Sequence, residues 1–489
     1  MNTDRRLPAA PAPLGLSRRT LLKAGGLTAL AVPAVSAPAF ASTLVSDGAD
    51  ASDATYDVIV IGAGYAGVTA ARELRAKGLK PLILEARNRI GGRTFTSTFL
   101  GQQIELGAQW IGPTQPLVNA ELKRYGIGTL SGTPPTRLIM PSGGSFKEFP
   151  PDEVDARYGD LMNRLFEGAQ DLFPQPTDPL YRKDLVTAAD GLSLRDRLNQ
   201  LRLSAEDESW LSGTTAGYSG GSSSTGAYTA LAQWWSLAGY NVAGYEAVMS
   251  QRISGGMAAL LQVMLNDAGA TLRLNSPVAS VADDGAKVRV TVCSGQVYQA
   301  RAAVVAVPVN VWKTISFSPG LPTVHRQATT QGVGVPFSGK LWMQVSGLSD
   351  RVAARGTEGS PFTTLLSQGN VGGGQLMVGF NSLPVLDGAD TAAVQDAVRR
   401  FLPEASVQEV LAHDWGKDPY SLGGWALRRP SQLTGQLPAI QQPQGRLSFA
   451  SGDIATGWVG FVEGAIESGL RAAQQVLKVT GSTLSRAAS

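Results

Sequence analysis

The chain has 489 residues, which is enough for two to four domains of ordinary size. Hydrophobic residues make up 43% and charged residues 17%, proportions that are typical of a globular protein and exclude a disordered one. The formal net charge is +3, of which the first 41 residues contribute +4 (five basic side chains against one acidic) and the remainder −1, and a near-neutral body argues against nucleic acid or an anionic membrane surface as a partner.

Side chains that bind metals are scarce. Cys293 is the single cysteine, so the chain has no internal disulfide and no cysteine-cluster metal site. The two histidines, His325 and His413, are far apart in the sequence and could complete a metal site only with carboxylates. The sequence therefore predicts no metal site.

The N-terminal segment has the features of a bacterial export signal. Arg18 and Arg19 precede a weakly apolar stretch over residues 24–41, a pattern typical of twin-arginine signals. Two glycines and two prolines interrupt that stretch, which argues against a transmembrane helix, and it ends in the A-x-A sequence of a cleavage site. We predict that residues 1–41 are a signal peptide read by the twin-arginine machinery, that residues 42–55 are a linker, and that the protein is periplasmic.

The first predicted elements form a β-α-β unit. Residues 56–61 are a β-branched run typical of a buried parallel strand, residues 68–77 are helical in pattern, and residues 81–84 form a second apolar strand. A Gly-x-Gly-x-x-Gly turn joins the first strand to the helix. This arrangement is the fingerprint of a dinucleotide-binding fold.

Each motif residue has a physical role in holding a dinucleotide. Gly62 permits the tight turn, Gly64 lets backbone N–H groups approach a pyrophosphate at the helix N-terminus, and Gly67 lets the helix pack on the strand. Glu85 stands at the end of the second strand, at the spacing from the glycines that the fingerprint requires. Its carboxylate can accept hydrogen bonds from ribose hydroxyls there.

The rest of the chain alternates between two kinds of structure. Residues 115–250 are mostly helical in pattern, strands return over 271–307, a mixed region covers about 315–415, and a short strand and a helix close the chain from residue 447. We predict an α/β fold with a Rossmann-like nucleotide-binding domain and an interleaved substrate domain of mixed sheet and helices. The nucleotide-binding pieces are 56–115, 251–314 and 421–480, the substrate pieces are 116–250 and 315–420, and 481–489 is a tail.

Three longer motifs identify a family. Residues 85–93 extend the fingerprint with two arginines and two glycines, and residues 107–115 and 457–464 follow in order. Together they resemble the flavin-containing monoamine oxidase family over residues 56–476. Residues 173–176 and 418–425, together with the export signal, are similar to the bacterial nicotine and pseudooxynicotine amine oxidases of that family.

The resemblance implies FAD as the cofactor, bound without a covalent link. The cysteine that attaches flavin in some members corresponds to Gly424 here, and Cys293 lies in a predicted strand far from that motif. Asp453 stands where the family has glutamate. The resemblance and the glycine turn together give the predicted cofactor-binding residues as Gly62, Ala63, Gly64, Ala66, Gly67, Glu85, Ala86, Arg87, Gly92, Arg93, Gly107, Ala108, Gln109, Trp110, Val278, Gly452, Asp453 and Val462.

The resemblance also implies the reaction and its residues. Trp425 and Phe461 correspond to two aromatic side chains that stand upright before the flavin, and Lys340 corresponds to a lysine that holds a water near flavin N5. Trp110 and Trp235 are further substrate-contact candidates. The expected reaction is oxidation of a small amine by hydride transfer to N5, giving an imine that hydrolyses to an aldehyde or ketone.

The sequence is also compatible with other functions. An L-amino acid oxidase would use an arginine such as Arg428 or Arg429 for the substrate carboxylate, and a polyamine oxidase would use pocket carboxylates. A non-catalytic exported electron relay is a third class. Oxygen and a periplasmic electron carrier are both compatible as the acceptor, and a homodimer is compatible with the sequence.

Overall fold

The computed structural model describes residues 55–383 and 385–487. The predicted signal peptide and all but the last residue of the predicted linker lie outside the described residues. Among the described helices, none combines the length and apolar character that crossing a membrane requires.

The strands, in chain order, are β1 Val58–Ile61, β2 Pro81–Leu84, β3 Thr96–Phe99, β4 Gln102–Glu105, β5 Thr129–Ser131, β6 Arg137–Ser142, β7 Ser145–Phe149, β8 Gln251–Ile253, β9 Thr271–Arg273, β10 Val278–Asp283, β11 Val288–Val292, β12 Val297–Ala300, β13 Ala302–Val305, β14 Ser316–Ser318, β15 Gly339–Ser346, β16 Val352–Arg355, β17 Thr364–Val371, β18 Gly374–Asn381, β19 Ser406–Asp414 and β20 Leu447–Phe449.

The α-helices are α1 Tyr65–Ala76, α2 Pro116–Tyr125, α3 Pro151–Leu165, α4 Ala169–Leu172, α5 Lys183–Ala189, α6 Leu194–Leu201, α7 Ala205–Tyr218, α8 Tyr228–Leu237, α9 Val242–Ala247, α10 Gly256–Ala268, α11 Thr323–Gln331, α12 Thr391–Arg399, α13 Gln432–Gln436 and α14 Val462–Ala487. Short 3-10 helices cover Val309–Thr314, Ala439–Gln441 and Gly452–Ile454.

The first sheet is parallel and has the order β20-β13-β1-β2-β9. Its central strands are buried along their whole length, which explains why they appear in the sequence as continuous apolar runs. Helices α1, α10 and α14 share one hydrophobic core with it, represented by Val60, Leu74, Leu260 and Ile466. The predicted Rossmann-like sheet is confirmed.

A second large sheet carries the interleaved domain. It has seven strands in the order β19-β15-β18-β17-β16-β6-β7. The sheet is mixed, because β16 runs parallel to β6 while all the other neighbouring strands of the sheet are antiparallel. Helix α12 packs on its core through Val394 and Val398, beside Leu341 and Met343 of β15. This is the predicted substrate domain of mixed sheet and helices.

The prediction that residues 115–250 are mostly helical misses part of this sheet. Strands β6 and β7 lie in that range and form a hairpin around Gly143 and Gly144, both with positive φ. The hairpin finds its sheet partner in β16, which follows only after the helical region and the middle piece of the nucleotide-binding domain. That distant pairing stabilises two half-exposed strands whose own sequence pattern is weak.

One long cavity runs between the two domains. Its volume is about 1180 Å³, and its walls come from the glycine turn after β1, from β15 to β17, from α7 and from the segments that flank α14. Ligand sites of ordinary size occupy about 300–1,000 Å³, so this space can hold a dinucleotide and a small molecule together.

Candidate active site

The glycine turn forms a cradle at one end of the cavity. Gly62 has φ +105°, and a Cβ there would stand 2.7 Å from the carbonyl oxygen of Ala306. A Cβ on Gly67 would stand 2.0 Å from the carbonyl oxygen of Gly62, so both positions require glycine for the protein's own packing. Gly64 differs, because its nearest protein atom would be 3.7 Å away and it faces the cavity. The absent side chain at Gly64 therefore leaves room for a ligand, as a pyrophosphate at the start of α1 requires.

Glu85 is buried at the end of β2 and faces the same end of the cavity. Its carboxylate accepts hydrogen bonds from the backbone N–H of Ala63 at 2.8 Å and of Arg87 at 2.9 Å. The carboxylate is thus fixed in orientation by backbone donors and keeps further acceptor capacity for ribose hydroxyls.

Two arginines continue along the cavity wall. Arg87 is held by an ion pair with Asp418 and donates to the hydroxyl of Ser421 at 2.9 Å. Arg93 donates to the carbonyl oxygen of Gly424 at 2.9 Å and forms an ion pair with Asp453. Both guanidinium groups line the space where an anionic cofactor would lie.

Asp453 does not line the cavity, although the sequence predicts a cofactor contact for it. One of its carboxylate oxygens pairs with Arg93, and the other accepts the backbone N–H of Val309 at 2.8 Å. Its side chain is completely buried. The carboxylate is therefore occupied inside the protein, and Asp453 orients Arg93 rather than facing a ligand itself.

Val278 begins strand β10 and is another predicted cofactor-binding residue. It lines the cavity together with Ser276, Pro277 and Cys293. Strand β11 ends at Val292, so Cys293 lies in the following turn and not in the strand that the sequence predicts. Cys293 is exposed in that turn. Cys293 and Gly424 belong to different parts of the fold, as expected.

Lys340 is buried on β15 where the two domains meet. Its ammonium group donates to the carbonyl oxygen of Gly107 at 3.0 Å and to Oε1 of Gln109 at 2.7 Å. Trp110 and Phe380 approach it, with ring centroids 5.3 and 5.6 Å from Nζ. Burial lowers the pKa of Lys340 to about 7 against the opposing effect of the Glu105 carboxylate, so its charge changes within the physiological range.

Further aromatic side chains line the same cavity. The indole N–H of Trp425 donates to the carbonyl oxygen of Tyr218 at 3.0 Å, which fixes the ring. Phe461 is held edge-on by Trp234 and Trp458, with centroid distances of 4.9 and 5.1 Å. Both Trp425 and Phe461 line the cavity.

Trp235 does not line the cavity, which corrects its predicted substrate contact. Adjacent residues of an α-helix point about 100° apart, and on α8 it is Trp234 that faces the cavity. Trp235 stacks on Phe166 with centroids 4.8 Å apart and lies beside Tyr245 at 5.8 Å. It belongs to the helical core.

Most of the predicted cofactor-binding residues share this one cavity; those that line it are Gly62, Gly64, Ala66, Glu85, Ala86, Arg87, Gly92, Arg93, Gly107, Ala108, Gln109, Trp110, Val278, Gly452 and Val462. Ala63 and Gly67 lie behind it and shape the turn. Among the described residues no group of three side chains could hold a metal ion.

The sequence does not single out Tyr218, Trp234 or Arg355 as site residues, yet all three line the cavity. The sequence offers an indirect signal for Tyr218. This residue ends a helix that contains Gly213 and Gly217, and glycines in a helix indicate a close contact with a neighbouring element. A Cβ on Gly213 would stand 1.9 Å from the carbonyl oxygen of Gly356, so these glycines let α7 approach the second sheet closely.

The fold and the cavity together define a dinucleotide-binding protein whose second domain contributes to the walls of the same cavity. A family model described as flavin containing amine oxidoreductase matches residues 65–477, well over half of the chain. The chain belongs to this family.

Similar proteins support the same assignment. A pseudooxynicotine dehydrogenase from a Pseudomonas species is 34% identical over 94% of this chain and 96% of that protein. A nicotine dehydrogenase from Pseudomonas putida is 34% identical over 86% of this chain and 88% of that protein. An (S)-6-hydroxynicotine oxidase from Paenarthrobacter nicotinovorans is 28% identical over 86% of this chain and 99% of that protein.

Solved structures share the fold. A putrescine oxidase bound to putrescine superposes with a TM-score of 0.74 at 23% identity, covering 87% of this chain and 99% of that chain. A cyclohexylamine oxidase from Brevibacterium oxydans gives a TM-score of 0.72 at 22% identity, covering 88% of this chain and 100% of that chain. The predicted function class is confirmed: the protein is an FAD-dependent enzyme that oxidises amines.

Proposed function

We propose that the protein oxidises a small amine of the nicotine or pseudooxynicotine kind, held between Trp425 and Phe461. The observation that carries this proposal is a group of aromatic side chains in the cavity wall, where Trp425, Phe461 and Trp234 face the same ligand space as Lys340. Two relatives that are 34% identical are named for pseudooxynicotine and nicotine. Aromatic walls suit a compact amine because they accept both its apolar carbons and its nitrogen.

When bound, FAD supplies the acceptor for a hydride from the carbon next to the amine nitrogen. The aromatic walls exclude water and disfavour the protonated amine, whose nitrogen has no free electron pair. Gly62, Gly64 and Glu85 would hold the nucleotide end, while Arg87 and Arg93 would neutralise the pyrophosphate. Lys340 places an ionisable amine at the junction of the cofactor and substrate regions, where it can hold a water or a proton.

The two rival substrate classes receive less support. Neither Arg428 nor Arg429 lines the cavity, so neither is placed to bind an amino acid carboxylate there. Arg428 donates to Oε1 of Gln233 and to the carbonyl oxygen of Ala455, and Arg429 donates to the carbonyl oxygen of Gly332. Among the described residues that line the cavity, the carboxylates are Glu85 on the cofactor side and Glu246. A chain of ammonium groups, as in a polyamine, would find little negative charge there.

We expect the purified enzyme to be yellow and to lose its flavin colour when nicotine or a related N-methyl amine is added without oxygen. Amino acids and polyamines should reduce the flavin at least tenfold more slowly. Acid precipitation of the same preparation should release FAD into the supernatant, since Gly424 offers no thiol for attachment. Faster reduction by an amino acid or a polyamine would contradict the proposed substrate class.

We also propose that residues 1–41 direct export to the periplasm, on the sequence pattern alone. A reporter fused to residues 1–45 should be exported, and changing Arg18 and Arg19 together to lysine should keep it in the cytoplasm. Lysine preserves the charge, so the double variant tests recognition of the arginine pair. Continued export of the lysine variant would refute the twin-arginine route.

A further inference from the structure

Arg355 is a cavity residue that the proposed mechanism does not use. It ends β16, where alternate side chains point to opposite faces of the sheet. Val352 and Ala354 belong to the hydrophobic core on one face of the sheet, so Ala353 and Arg355 point to the opposite face. All four residues contribute to the lining of the cavity. Arg355 is half-buried in spite of its length and charge.

The surroundings of Arg355 hold its guanidinium group in place without satisfying its donors. The group lies over the ring of Tyr158 at 4.4 Å, and Tyr218, Tyr245 and Glu246 are near enough to interact with it electrostatically. Burial raises the pKa of Tyr218 to about 12 and that of Tyr245 well above its ordinary value, so these phenols stay neutral. Within the described part of the chain, no side-chain or backbone oxygen accepts a hydrogen bond from the Arg355 guanidinium.

Two other arginines, Arg351 and Arg428, differ from Arg355 because their guanidinium groups donate hydrogen bonds to protein oxygens. Arg351, on the same stretch of chain, donates to the carbonyl oxygens of Thr133 and Ser367. Arg428 likewise donates to two protein oxygens. An arginine carries five N–H donors and is always charged, so donors that face a cavity form a site for an acceptor oxygen.

Positive charge predominates in the part of the cavity that contains Arg355. On the side formed by β16, α9 and β8, the charged lining residues are Arg252, Arg351 and Arg355 against Glu246. Arg252 lies close enough to Arg351 to lower the pKa of its guanidinium, in addition to the larger effect of burial. A second ammonium group on the substrate would therefore meet repulsion, while an anionic or carbonyl group would be attracted.

Tyr218 connects this region to the reacting end of the cavity. Its carbonyl oxygen accepts the indole N–H of Trp425, and its ring lies edge-on to that indole at 6.5 Å. Tyr218 also interacts electrostatically with Arg355. Tyr218 therefore interacts both with the guanidinium group and with the aromatic wall, which places the two in the same region of the cavity.

We propose that Arg355 is a specificity-determining residue that donates hydrogen bonds to an acceptor oxygen, carbonyl or carboxylate, at the end of the substrate opposite the amine. The inference rests on the proposed function, because it places the amine at Trp425 and Phe461. Within the proposed substrate class, the inference favours amines whose far end carries an oxygen acceptor over amines that carry a second ammonium group there.

The test compares four N-methyl amines that differ only at the far end: 4-(methylamino)butanoate, its primary amide, N-methylpentylamine and N-methylbutane-1,4-diamine. The rate of anaerobic flavin reduction divided by the dissociation constant is measured for each with the full-length holoenzyme. Arg355→Met should lower this ratio about tenfold or more for the butanoate and the amide, and less than threefold for N-methylpentylamine. Arg355→Lys, which keeps the charge without the planar fork, should retain more of the butanoate rate than of the amide rate.

Arg157→Met is the matched control. Arg157 also lies 4.4 Å over an aromatic ring, that of Trp210, but it does not line the cavity. It should leave the order of the four probes unchanged, and FAD content should report on the folding of every variant.

The possible outcomes separate the inference from the proposed function. An equal loss for all four probes in Arg355→Met would show a structural role and overturn the inference, as would an unchanged butanoate rate. In both cases reduction by N-methylpentylamine leaves the proposed function intact. If neither nicotine nor any of the four probes reduces the parent enzyme, the proposed function fails and the inference fails with it.

Discussion

Replacing Trp425 with alanine should slow reduction of the bound flavin by the preferred amine at least tenfold, while FAD remains bound. The indole forms one wall of the ligand space and is fixed by its hydrogen bond to the carbonyl oxygen of Tyr218. Its removal lets the amine reorient and admits water, and a displacement of about 1 Å can cost roughly a hundredfold in rate. Anaerobic stopped-flow traces at saturating amine measure the effect.

Phe461→Tyr, a second change in the aromatic wall, should affect the rate of flavin reduction much less than Trp425→Ala. It keeps the ring that Trp234 and Trp458 hold in place and adds one hydroxyl group. We expect less than a threefold change in the same rate. A Trp425→Ala enzyme that is reduced at the parent rate would show that the amine binds elsewhere in the cavity.

Replacing Lys340 with methionine should slow reoxidation of the reduced enzyme by oxygen about tenfold and change amine-dependent reduction less than threefold. A buried cation stabilises negative charge that develops on an electron acceptor far more than a cation in water does. Because the pKa of Lys340 is about 7, this cation is present below pH 7 and is lost as the pH rises through 7. The parent reoxidation rate should therefore fall with rising pH, and the methionine variant should show no step near pH 7.

The pH profile is the measurement that separates this role from simple packing. Lys147→Met is a suitable control, because Lys147 is exposed on β7 and does not line the cavity. It should retain the parent profile. A step near pH 7 that persists in Lys340→Met would assign the ionisation to another group.

The nucleotide-binding half of the fold could be predicted because its signals are local. The strand before Gly62, the glycine spacing and the acidic residue at the end of β2 all lie in one short stretch of the chain, 56–85. Each is required by backbone geometry, as the close contacts of Gly62 and Gly67 show. The placement of β1, α1 and β2 in the structure follows this prediction closely.

The substrate half could not be predicted to the same depth, because its important contacts are between distant residues. Arg355 meets Tyr158 only after β16 has paired with β6, and Trp234 differs from Trp235 only by its rotation about the axis of α8. At Asp453 the motif is misleading in the opposite way, because it predicts a ligand contact that the structure does not show. The aspartate, which is shorter than the glutamate of the family, binds Arg93 and the backbone N–H of Val309. Periodicity and motifs carry no information about such partners.

The order of strands in the parallel sheet has a consequence for how the protein is made. Val60 of β1 pairs with Val304 of β13, and Val304 pairs with Ser448 of β20, so neighbouring strands come from the first, middle and last pieces of the domain. Pairings this distant form slowly, since long loops must close first. During synthesis β1 can pair early with β2, but its other partner β13 comes from the middle of the chain, and β20, which pairs with β13, is translated last. Only a finished chain can therefore complete the sheet and enclose the cofactor. We therefore expect the yield of this enzyme to depend on shielding the nascent chain from aggregation.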